Sequence, residues 1–395
     1  MIIPRLLALA SISLLLVACT SQDPRPLPNP TPAPSKGPLP ATGLALASIA
    51  MFGDDGWGAT YLSSGPVGNL LRTGDGGHSW RTVTPPIAQG HFLFGFAFVD
   101  SSHAWLMEGG PRQDAGMVDL LATLDGGRTW STTTAPGIAF RGAIITFADS
   151  NSGWLATPGE PGSQYADQAV VIDRTKDGGT SWQMVSQAAL PPDISTAGAP
   201  SVKCGKTDLS FLNASAGWLT GGCNAGITFD FTTDGGITWT ARTLASPEGA
   251  AFSSDCAGGA CTLSAPRFPT PQFGYMVLHT TGRTPGRSWL YTSADSGRSW
   301  ILHALPGQET TVAMANASIG YASIGPSALT TAWLYRTGDG GRSWQPVPTN
   351  RTLYYAALDC VSPSRCWALT PSPNGPNTPS GIFETTDGGS TWVTP

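Results

Sequence analysis

The sequence predicts an all-β fold, a seven-bladed β-propeller with four-stranded antiparallel blades, and two observations carry this prediction. The first is the composition: the 395 residues include 49 glycines and 34 prolines, and 41% of the residues are hydrophobic. Frequent turn residues together with enough apolar side chains for a core are typical of turn-rich β proteins. The second is a short motif that recurs seven times, at intervals of 44 to 61 residues, as expected for blades repeated around a ring.

The motif reads, in order, Ser or Thr, any residue, Asp, Gly or Ser, Gly, any residue, Ser or Thr, and Trp; its first copy is Thr73–Trp80. We expect it to form the turn between the third and fourth strands of each blade, where the Asp carboxylate accepts hydrogen bonds from backbone N–H groups. The Trp is expected to begin the outer strand and pack in the core. The repeated aspartates are Asp75, Asp125, Asp177, Asp234, Asp295, Asp339 and Asp387. The repeated tryptophans are Trp80, Trp130, Trp182, Trp239, Trp300, Trp344 and Trp392.

A second pattern recurs in phase with the motif: an apolar residue precedes an aromatic residue by seven positions, as in Phe98 and Trp105. Each repeat is therefore expected to contain four short strands, as in a propeller blade. In the first strand of the second repeat, alternation predicts that Phe92, Phe94, Phe96 and Phe98 share one face. The strands predicted for this repeat are Phe92–Val99, Ala104–Glu108, Val118–Thr123 and Trp130–Thr133.

Residues 1–18 are typical of a secretory signal peptide, with Arg5 as the positive region and an apolar stretch over Leu6–Ala18. That stretch is shorter than the roughly 20 residues that span a bilayer. The residues Leu16–Cys19 resemble a bacterial lipobox. The resemblance implies acylation of Cys19, export, and anchoring to the outer face of a bacterial membrane. An ordinary signal peptide is the alternative.

Residues 19–40 are predicted to be a linker, because eight prolines nearly alternate with other residues between Pro24 and Pro40. Such a run favours extended polyproline II structure and is not expected to pair in a sheet. The propeller is assigned to residues 41–395. Its first strand is expected near Leu44–Met51, and the ring is expected to close by packing of the last blade on the first, without exchange of strands.

Six cysteines follow Cys19, and an even number in an exported chain indicates three disulfides. Their positions predict local pairs, which are Cys204 with Cys223, Cys256 with Cys261, and Cys360 with Cys366. The chain has no Cys-x-x-Cys sequence and only five scattered histidines, so a zinc or thiol-redox site is not expected. Each motif offers one carboxylate, whereas Ca²⁺ takes six to eight oxygen ligands, so we expect neither a metal nor another cofactor.

The charge balance limits the class of partner. The net charge is −5 and the pI is near 5.5, with no basic run, which argues against nucleic acid. We expect a monomer that binds a protein or a glycan and contacts the membrane through its N-terminal lipid.

The repeated motif resembles the Asp-box, or BNR repeat, of sialidases, sortilin-type receptors and some glycoside hydrolases. The resemblance covers the whole folded region, once per blade. With Gly-Trp in the second strand and Thr-x-Asp-Gly-Gly before the motif Trp, the repeat is most similar to that of the photosystem II stability/assembly factor family. This resemblance implies a seven-bladed propeller and, by analogy, a role in binding or assembly.

The two faces of the propeller are expected to differ. The turns between strands one and two and between strands three and four share the motif face, where they are short and alike. The remaining loops share the variable-loop face and differ greatly in length, so binding is expected there and in the central funnel. The candidate binding residues are Arg141, Tyr165, Asp167, Arg283, Arg287, Glu309, Arg351 and Tyr354.

Three functions remain open at this point. The leading one is a non-catalytic binding, assembly or scaffold module, and a purely structural role is another. The alternative is a carbohydrate-binding protein or sialidase-like glycoside hydrolase, for which Arg141, Arg283 and Arg351 are a conceivable arginine cluster. Against it, the Phe/Tyr-Arg-Ile-Pro motif of sialidases is absent from the folded region. Two carboxylates that converge near the funnel, such as Asp167 and Glu309, favour an enzyme, whereas an apolar or single-sign patch favours a partner.

Overall fold

The computed structural model describes most of the chain from Thr31 onward and shows an all-β, seven-bladed propeller, which confirms the predicted fold class. The predicted signal peptide and Cys19 lie outside the described residues. The described residues are 31–32, 39–40, 46–61, 67–109, 118–135, 142–160, 167–247, 252, 256, 261–280, 287–307, 310–325, 333–351, 353, 356–370 and 381–395.

Two short strands, Thr31–Pro32 (β1) and Leu39–Pro40 (β2), precede the blades. The strands of the propeller, blade by blade, are Leu46–Phe52, Asp55–Tyr61, Val67–Thr73 and Ser79–Thr82 (β3–β6, blade 1); Phe92–Phe98, Ala104–Gly109, Val118–Thr123 and Thr129–Ala135 (β7–β10, blade 2); Ile144–Phe147, Gly153–Pro158, Val170–Thr175 and Gln183–Ala188 (β11–β14, blade 3); Gly205–Phe211, Gly217–Cys223, Gly226–Thr232 and Thr240–Ala241 (β15–β18, blade 4); Cys261–Leu263, Gly274–Thr280, Arg287–Ser293 and Ile301–Ala304 (β19–β22, blade 5); Thr311–Met314, Gly320–Ser323, Leu334–Thr337 and Gln345–Pro346 (β23–β26, blade 6); and Ala357–Cys360, Cys366–Thr370 and Gly381–Thr385 (β27–β29, blade 7).

Within each blade the strands pair antiparallel in chain order. Blades 1 to 6 have four strands, and blade 7 has three strands plus a bridge between Glu384 and Val393. Blades 1 and 2 are also joined by one pairing, Val67 with Leu93. The four strands predicted for the second repeat are confirmed to within two residues at each end.

The predicted alternation of phenylalanines in β7 is wrong, because a β-bulge interrupts the strand. Its register shifts between Phe94 and Phe96, and Gly95 there has a φ of 61°, a conformation that glycine adopts without steric cost. The bulge moves the later side chains to the other face. Phe96 and Phe98 therefore pack in the interface with blade 1, whereas Phe94 packs in the interface with blade 3.

The motif forms the same hydrogen-bonded turn in all seven blades. In blade 1 the Thr73 hydroxyl donates to Asp75 Oδ1 at 2.8 Å and accepts from the Gly77 N–H at 2.9 Å. Asp75 Oδ2 in turn accepts from the Ser79 hydroxyl at 2.6 Å. The Gly N–H bond measures 2.9–3.0 Å in every copy. These hydrogen bonds hold the pKa of the carboxyl below its usual value in all seven copies. In Asp339, Ser343 and then Thr337 lower it to about 2.

The recurring pair of apolar and aromatic residues packs between blades. The second-strand tryptophan of one blade stacks on the first-strand phenylalanine of the next, with ring centroids 3.6 Å apart for Trp105 and Phe147. The indole N–H then donates to a carbonyl of the next blade, as from Trp105 to Gly178 at 2.8 Å. The joints between blades 1 and 2, 2 and 3, and 3 and 4 are thus each held by an aromatic stack and an indole hydrogen bond.

The ring closes by packing of blade 7 on blade 1, as expected. The Trp367 indole donates to the Gly76 carbonyl at 2.9 Å, and the Met51 N–H donates to Asp359 Oδ2 at 2.6 Å. Arg365 forms an ion pair with Asp54 across the joint at 2.7 Å. In the described residues, all strands of blade 1 come from residues 46–82 and all strands of blade 7 from residues 357–385, so the two blades exchange no strand.

The expectation that the proline-rich segment does not pair in a sheet is wrong for two dipeptides. The segment lies along two outer edges, where β1 pairs with β10 of blade 2 and β2 pairs with β6 of blade 1. Proline lacks an N–H but keeps its carbonyl, so an outermost strand tolerates it. These pairings also cover two sheet edges that would otherwise be open.

All three predicted disulfides are present. The Cα–Cα distances are 5.0 Å for Cys204–Cys223, 5.3 Å for Cys256–Cys261 and 4.1 Å for Cys360–Cys366. In the described part of the chain, no helix has the length and apolarity needed to cross a bilayer.

Candidate functional site

Most of the variable-loop face lies outside the described residues. The predicted binding residues Arg141, Tyr165, Arg283, Glu309 and Tyr354 all fall there. The three described candidates belong to different parts of the ring. Asp167 precedes the third strand of blade 3, Arg287 begins the third strand of blade 5, and Arg351 follows blade 6, with its guanidinium 5.4 Å from the Phe383 ring.

Asp167 lies beside a buried lysine that holds the connection from blade 3 to blade 4. Asp167 forms a β-bridge with Lys203. Lys206 Nζ donates to the carbonyls of Lys203 at 2.9 Å and Cys204 at 3.3 Å. Burial lowers the pKa of Lys206 to about 8, while Asp230 and Asp167 act in the opposite direction. These contacts give Lys206 a role in fixing the loop.

Asp208 and Asp359, on the first strands of blades 4 and 7, both interact electrostatically with Arg267. Burial raises the pKa of both Asp208 and Asp359, and Arg267 opposes that shift in each. The Tyr275 phenol, with these two carboxylates, raises the pKa of Arg267. Each carboxylate also accepts a backbone N–H from the first-strand segment of the next blade, as Asp208 does from Ala265 at 3.0 Å. The acids therefore bind neighbouring blades together as well as facing Arg267.

Among the described residues, three concave sites lie on the motif face, between neighbouring blades. The cleft between blades 1 and 2 (cleft 1–2) has a volume of about 370 Å³. The cleft between blades 3 and 4 (cleft 3–4) has a volume of about 320 Å³, and the cleft between blades 6 and 7 (cleft 6–7) has a volume of about 630 Å³. Each contains an arginine that directly precedes the motif: Arg72, Arg174 or Arg336. The sequence analysis did not single out these arginines, although their recurrence at one position of three repeats is visible in the sequence.

The arginine before the motif spans the joint in two of these clefts. Arg72 donates to the Ser101 carbonyl of blade 2, and Arg174 donates to the Ala214 carbonyl of blade 4 at 2.7 Å. Each guanidinium also lies over a second-strand indole, 5.0 Å from Trp57 and 5.3 Å from Trp154. Such cation–π contacts strengthen when the cation is desolvated.

Cleft 1–2 is lined by charged and hydroxyl side chains. Besides Arg72 it contains Arg81, Arg128, Ser101 and Ser102. Two acids, the ion-pair partner of Arg72 and the aspartate of the blade 2 motif, also line it. Its chemistry suits the binding of a polar, charged group.

Cleft 3–4 has the same kind of joint but a partly apolar lining. Met184 and Ile237 line it, and they are 50% and 48% exposed. Trp182 lies beside them, and Arg174 and Lys176 supply positive charge. A partly apolar concave surface with basic residues suits a protein surface more than a small polar ligand.

Within the described residues, no group of three or more His, Cys, Asp or Glu side chains is placed to hold a metal ion.

Comparisons with known proteins concern the fold. No protein-family model matches the sequence, and neither does any curated protein. A solved structure described as YCF48 bound to D1 peptide has 19% identity and a TM-score of 0.45, over 78% of this chain and 82% of that chain. The GH74 enzyme of Niastella koreensis has 13% identity and a TM-score of 0.34, over 86% of this chain and 60% of that chain. An α-L-arabinanase of Penicillium chrysogenum complexed with arabinobiose has 14% identity and a TM-score of 0.41, over 76% of this chain and 91% of that chain.

Proposed function

We propose that this protein is a non-catalytic binding or assembly module that presents a rigid propeller surface to a protein partner. One observation carries the proposal: Met184 and Ile237, each about half exposed, line one cleft at a joint between blades. Exposed apolar side chains grouped in a concavity mark interaction surfaces, and methionine adapts its shape to a partner. Arg174 and Lys176 favour a partner with acidic groups around an apolar anchor.

The rest of the fold supports this role. The joint that forms cleft 3–4 is held by the stack of Trp154 on Phe211 and by the indole hydrogen bond of Trp154, so this surface is fixed before a partner arrives and little entropy is lost on binding. The Asp-box-like repeat adds an analogy to assembly factors, and its seven identical turns are scaffold in character.

The proposal includes export and anchoring through an acylated Cys19. Because β1 pairs with blade 2, only residues 20–30 separate the lipid from the first paired strand. Eleven extended residues reach about 40 Å at most. Radiolabelled palmitate should be incorporated into the wild type and not into a Cys19→Ser variant. Equal labelling of both would exclude this anchor.

The partner proposal is tested with bait that spans residues 20–395, which keeps the two N-terminal pairings. We expect one dominant partner from solubilised envelope, lost in Met184→Asp and in Ile237→Asp. Ile301→Asp is the matched control, because Ile301 is 59% exposed on the outer strand of blade 5, away from the cleft. Retention of the partner by all four proteins, or capture of no partner by the wild type, would contradict the proposal.

A glycoside hydrolase is the second candidate, favoured by Asp208 and Asp359. Both have a raised pKa and both interact with Arg267, and a glycosidase needs an acid that stays protonated beside a second carboxylate. Incubation of the wild type with a glycan library measures product release directly. Release that is lost in both Asp208→Asn and Asp359→Asn would replace the binding proposal with this one.

A further inference from the structure

Cleft 1–2 brings three guanidinium groups together. Arg72 and Arg81 come from blade 1, and Arg128 comes from the motif of blade 2. They are not equivalent, because Arg72 makes several hydrogen bonds and an ion pair within the protein, whereas Arg81 and Arg128 make few contacts with the described residues.

Both terminal NH2 groups of Arg72 are bonded to the protein, whereas its Nε is buried without a hydrogen-bond partner among the described residues. Its side chain is almost entirely buried and donates to the carbonyls of Gly56 at 3.1 Å, Thr73 and Ser101. It also pairs with the Asp55 carboxylate at 2.9 Å. Its charge is therefore balanced inside the joint.

Arg81 and Arg128 are left with unused donors. Arg81 is half-buried and makes one hydrogen bond among the described residues, from its NH2 group to the Gly126 carbonyl at 3.1 Å. The Arg128 side chain is exposed and makes no hydrogen bond or ion pair with the described part of the chain. A guanidinium has five N–H donors in a planar fork, so most of these donors remain available.

The acid nearest to these two arginines does not neutralise them by direct contact. Asp125 Oδ1 accepts the N–H groups of Arg128 at 2.9 Å and Thr129 at 3.0 Å, and its Oδ2 accepts the Thr129 hydroxyl at 2.7 Å. The carboxylate is thus turned into its own motif turn. Burial, and then the like charges of Arg72 and Arg128, lower the pKa of Arg81, while Asp125 acts in the opposite direction.

The joint itself does not require these charges. Cleft 3–4 uses the same kind of bridging arginine, yet Gln183 stands where blade 1 has Arg81, and Ile237 stands where blade 2 has Arg128. Cleft 6–7 carries Gln345 and Ser390 at these positions. The like charges of cleft 1–2 therefore cost stability without building the fold.

We propose that cleft 1–2 is a binding site for a tetrahedral oxyanion, the phosphate group of a phosphorylated ligand, held between Arg81 and Arg128 with the hydroxyls of Ser101 and Ser102 as further donors. Guanidinium groups match phosphate oxygens with paired, charge-assisted hydrogen bonds. Hydroxyls at the rim satisfy the remaining oxygens. The site is independent of the partner surface in cleft 3–4.

The first test is calorimetric titration of residues 20–395 with inorganic phosphate in a buffer of constant ionic strength. We expect one site per chain. Arg81→Gln and Arg128→Ile, which install the residues of cleft 3–4, should each weaken binding about tenfold, the loss of a charge-assisted contact. Arg342→Gln is the matched control: Arg342 occupies the motif position of Arg128 in blade 6, outside the clefts described above, and should bind as the wild type does.

The reverse substitution makes the test independent of losses through misfolding. Gln183→Arg combined with Ile237→Arg should create a second phosphate site in cleft 3–4. Absence of phosphate binding by the wild type, or unchanged binding by Arg81→Gln and Arg128→Ile, would overturn the proposal.

The source of the phosphate group is distinguished by two further probes. Glycerol phosphate represents a soluble phosphorylated ligand, and vesicles of phosphatidylglycerol represent a lipid headgroup. The probe that competes with inorganic phosphate for the wild type identifies the source. This competition should be lost in Arg128→Ile. Sedimentation with vesicles that survives this substitution would place lipid contact outside the cleft and leave the phosphate site to soluble ligands.

Discussion

Clefts 1–2 and 3–4 are formed by joints of the same kind but differ in their lining, which is charged in cleft 1–2 and partly apolar in cleft 3–4. In both, an arginine before the motif crosses to the next blade and covers a second-strand indole. Cleft 1–2 then exposes Arg81 and Arg128, whereas the corresponding positions of cleft 3–4 carry Gln183 and Ile237. The repeat therefore separates two tasks: some positions build the joint, and two positions, one inside the motif and one after it, set the chemistry of the cleft lining.

The bridging arginines should not contribute equally to stability. Arg72→Ala removes three hydrogen bonds to carbonyls and the ion pair with Asp55 from an almost fully buried guanidinium, and we expect a loss of about 3 kcal/mol. Arg174→Ala removes one hydrogen bond and a stacking contact, and we expect about 1 kcal/mol. Urea unfolding of the two variants measures both losses. Equal losses would show that the joints are interchangeable.

A buried acid distinguishes blade 3 from blade 1. Asp173 is 5% exposed at the position where blade 1 has Leu71, and burial raises its pKa to about 6, above the unfolded value near 4. The contribution of Asp173 to stability should therefore be fully present below pH 4 and be lost as the pH rises through 6. Asp173→Leu should gain about 2 kcal/mol at pH 7 and lose that advantage below pH 4.

Asp173→Asn separates the charge from the added apolar surface, because it removes the titration alone. Urea unfolding from pH 3.5 to 7.5 measures both variants. A gain that does not change with pH would show that packing, and not the charge of Asp173, limits this blade.

Arg81→Gln should have the smallest effect on stability. It relieves repulsion from Arg72 and Arg128 but loses one hydrogen bond to Gly126, so we expect a change within about 0.5 kcal/mol. Salt screens the repulsion, so any stabilisation should be greatest in dilute buffer. Thermal unfolding at low and high salt checks this. A loss of several kcal/mol would make Arg81 part of the joint and remove its functional interpretation.

Local features were predictable because their determinants are close in the chain. The motif turn joins Thr73, Asp75 and Ser79 within seven residues, and the disulfides join cysteines 5 to 19 positions apart. The bulge in β7 was missed, although Gly95 was visible, because alternation alone does not show which glycine adopts a positive φ.

The clefts could not be read from the sequence, because their walls come from different repeats. Arg81 and Arg128 are separated by 47 positions, and only the packing of blade 1 on blade 2 brings them to one concavity. The same holds for Asp208, Arg267 and Asp359, which belong to blades 4, 5 and 7 and interact electrostatically. The pairing of the proline-rich segment with two outer edges is also a tertiary result, because its own composition favours no sheet.

By itself, the sequence determined the number of blades, the turn that ends each third strand and the cysteine pairs, because a repeated local pattern has few ways to fold. Only the tertiary structure decided how the ring closes and which side chains meet across a joint to line a cleft. The physical reason is that hydrogen bonds within a turn depend on neighbouring residues, whereas the lining of a cleft depends on how two separately formed blades pack together.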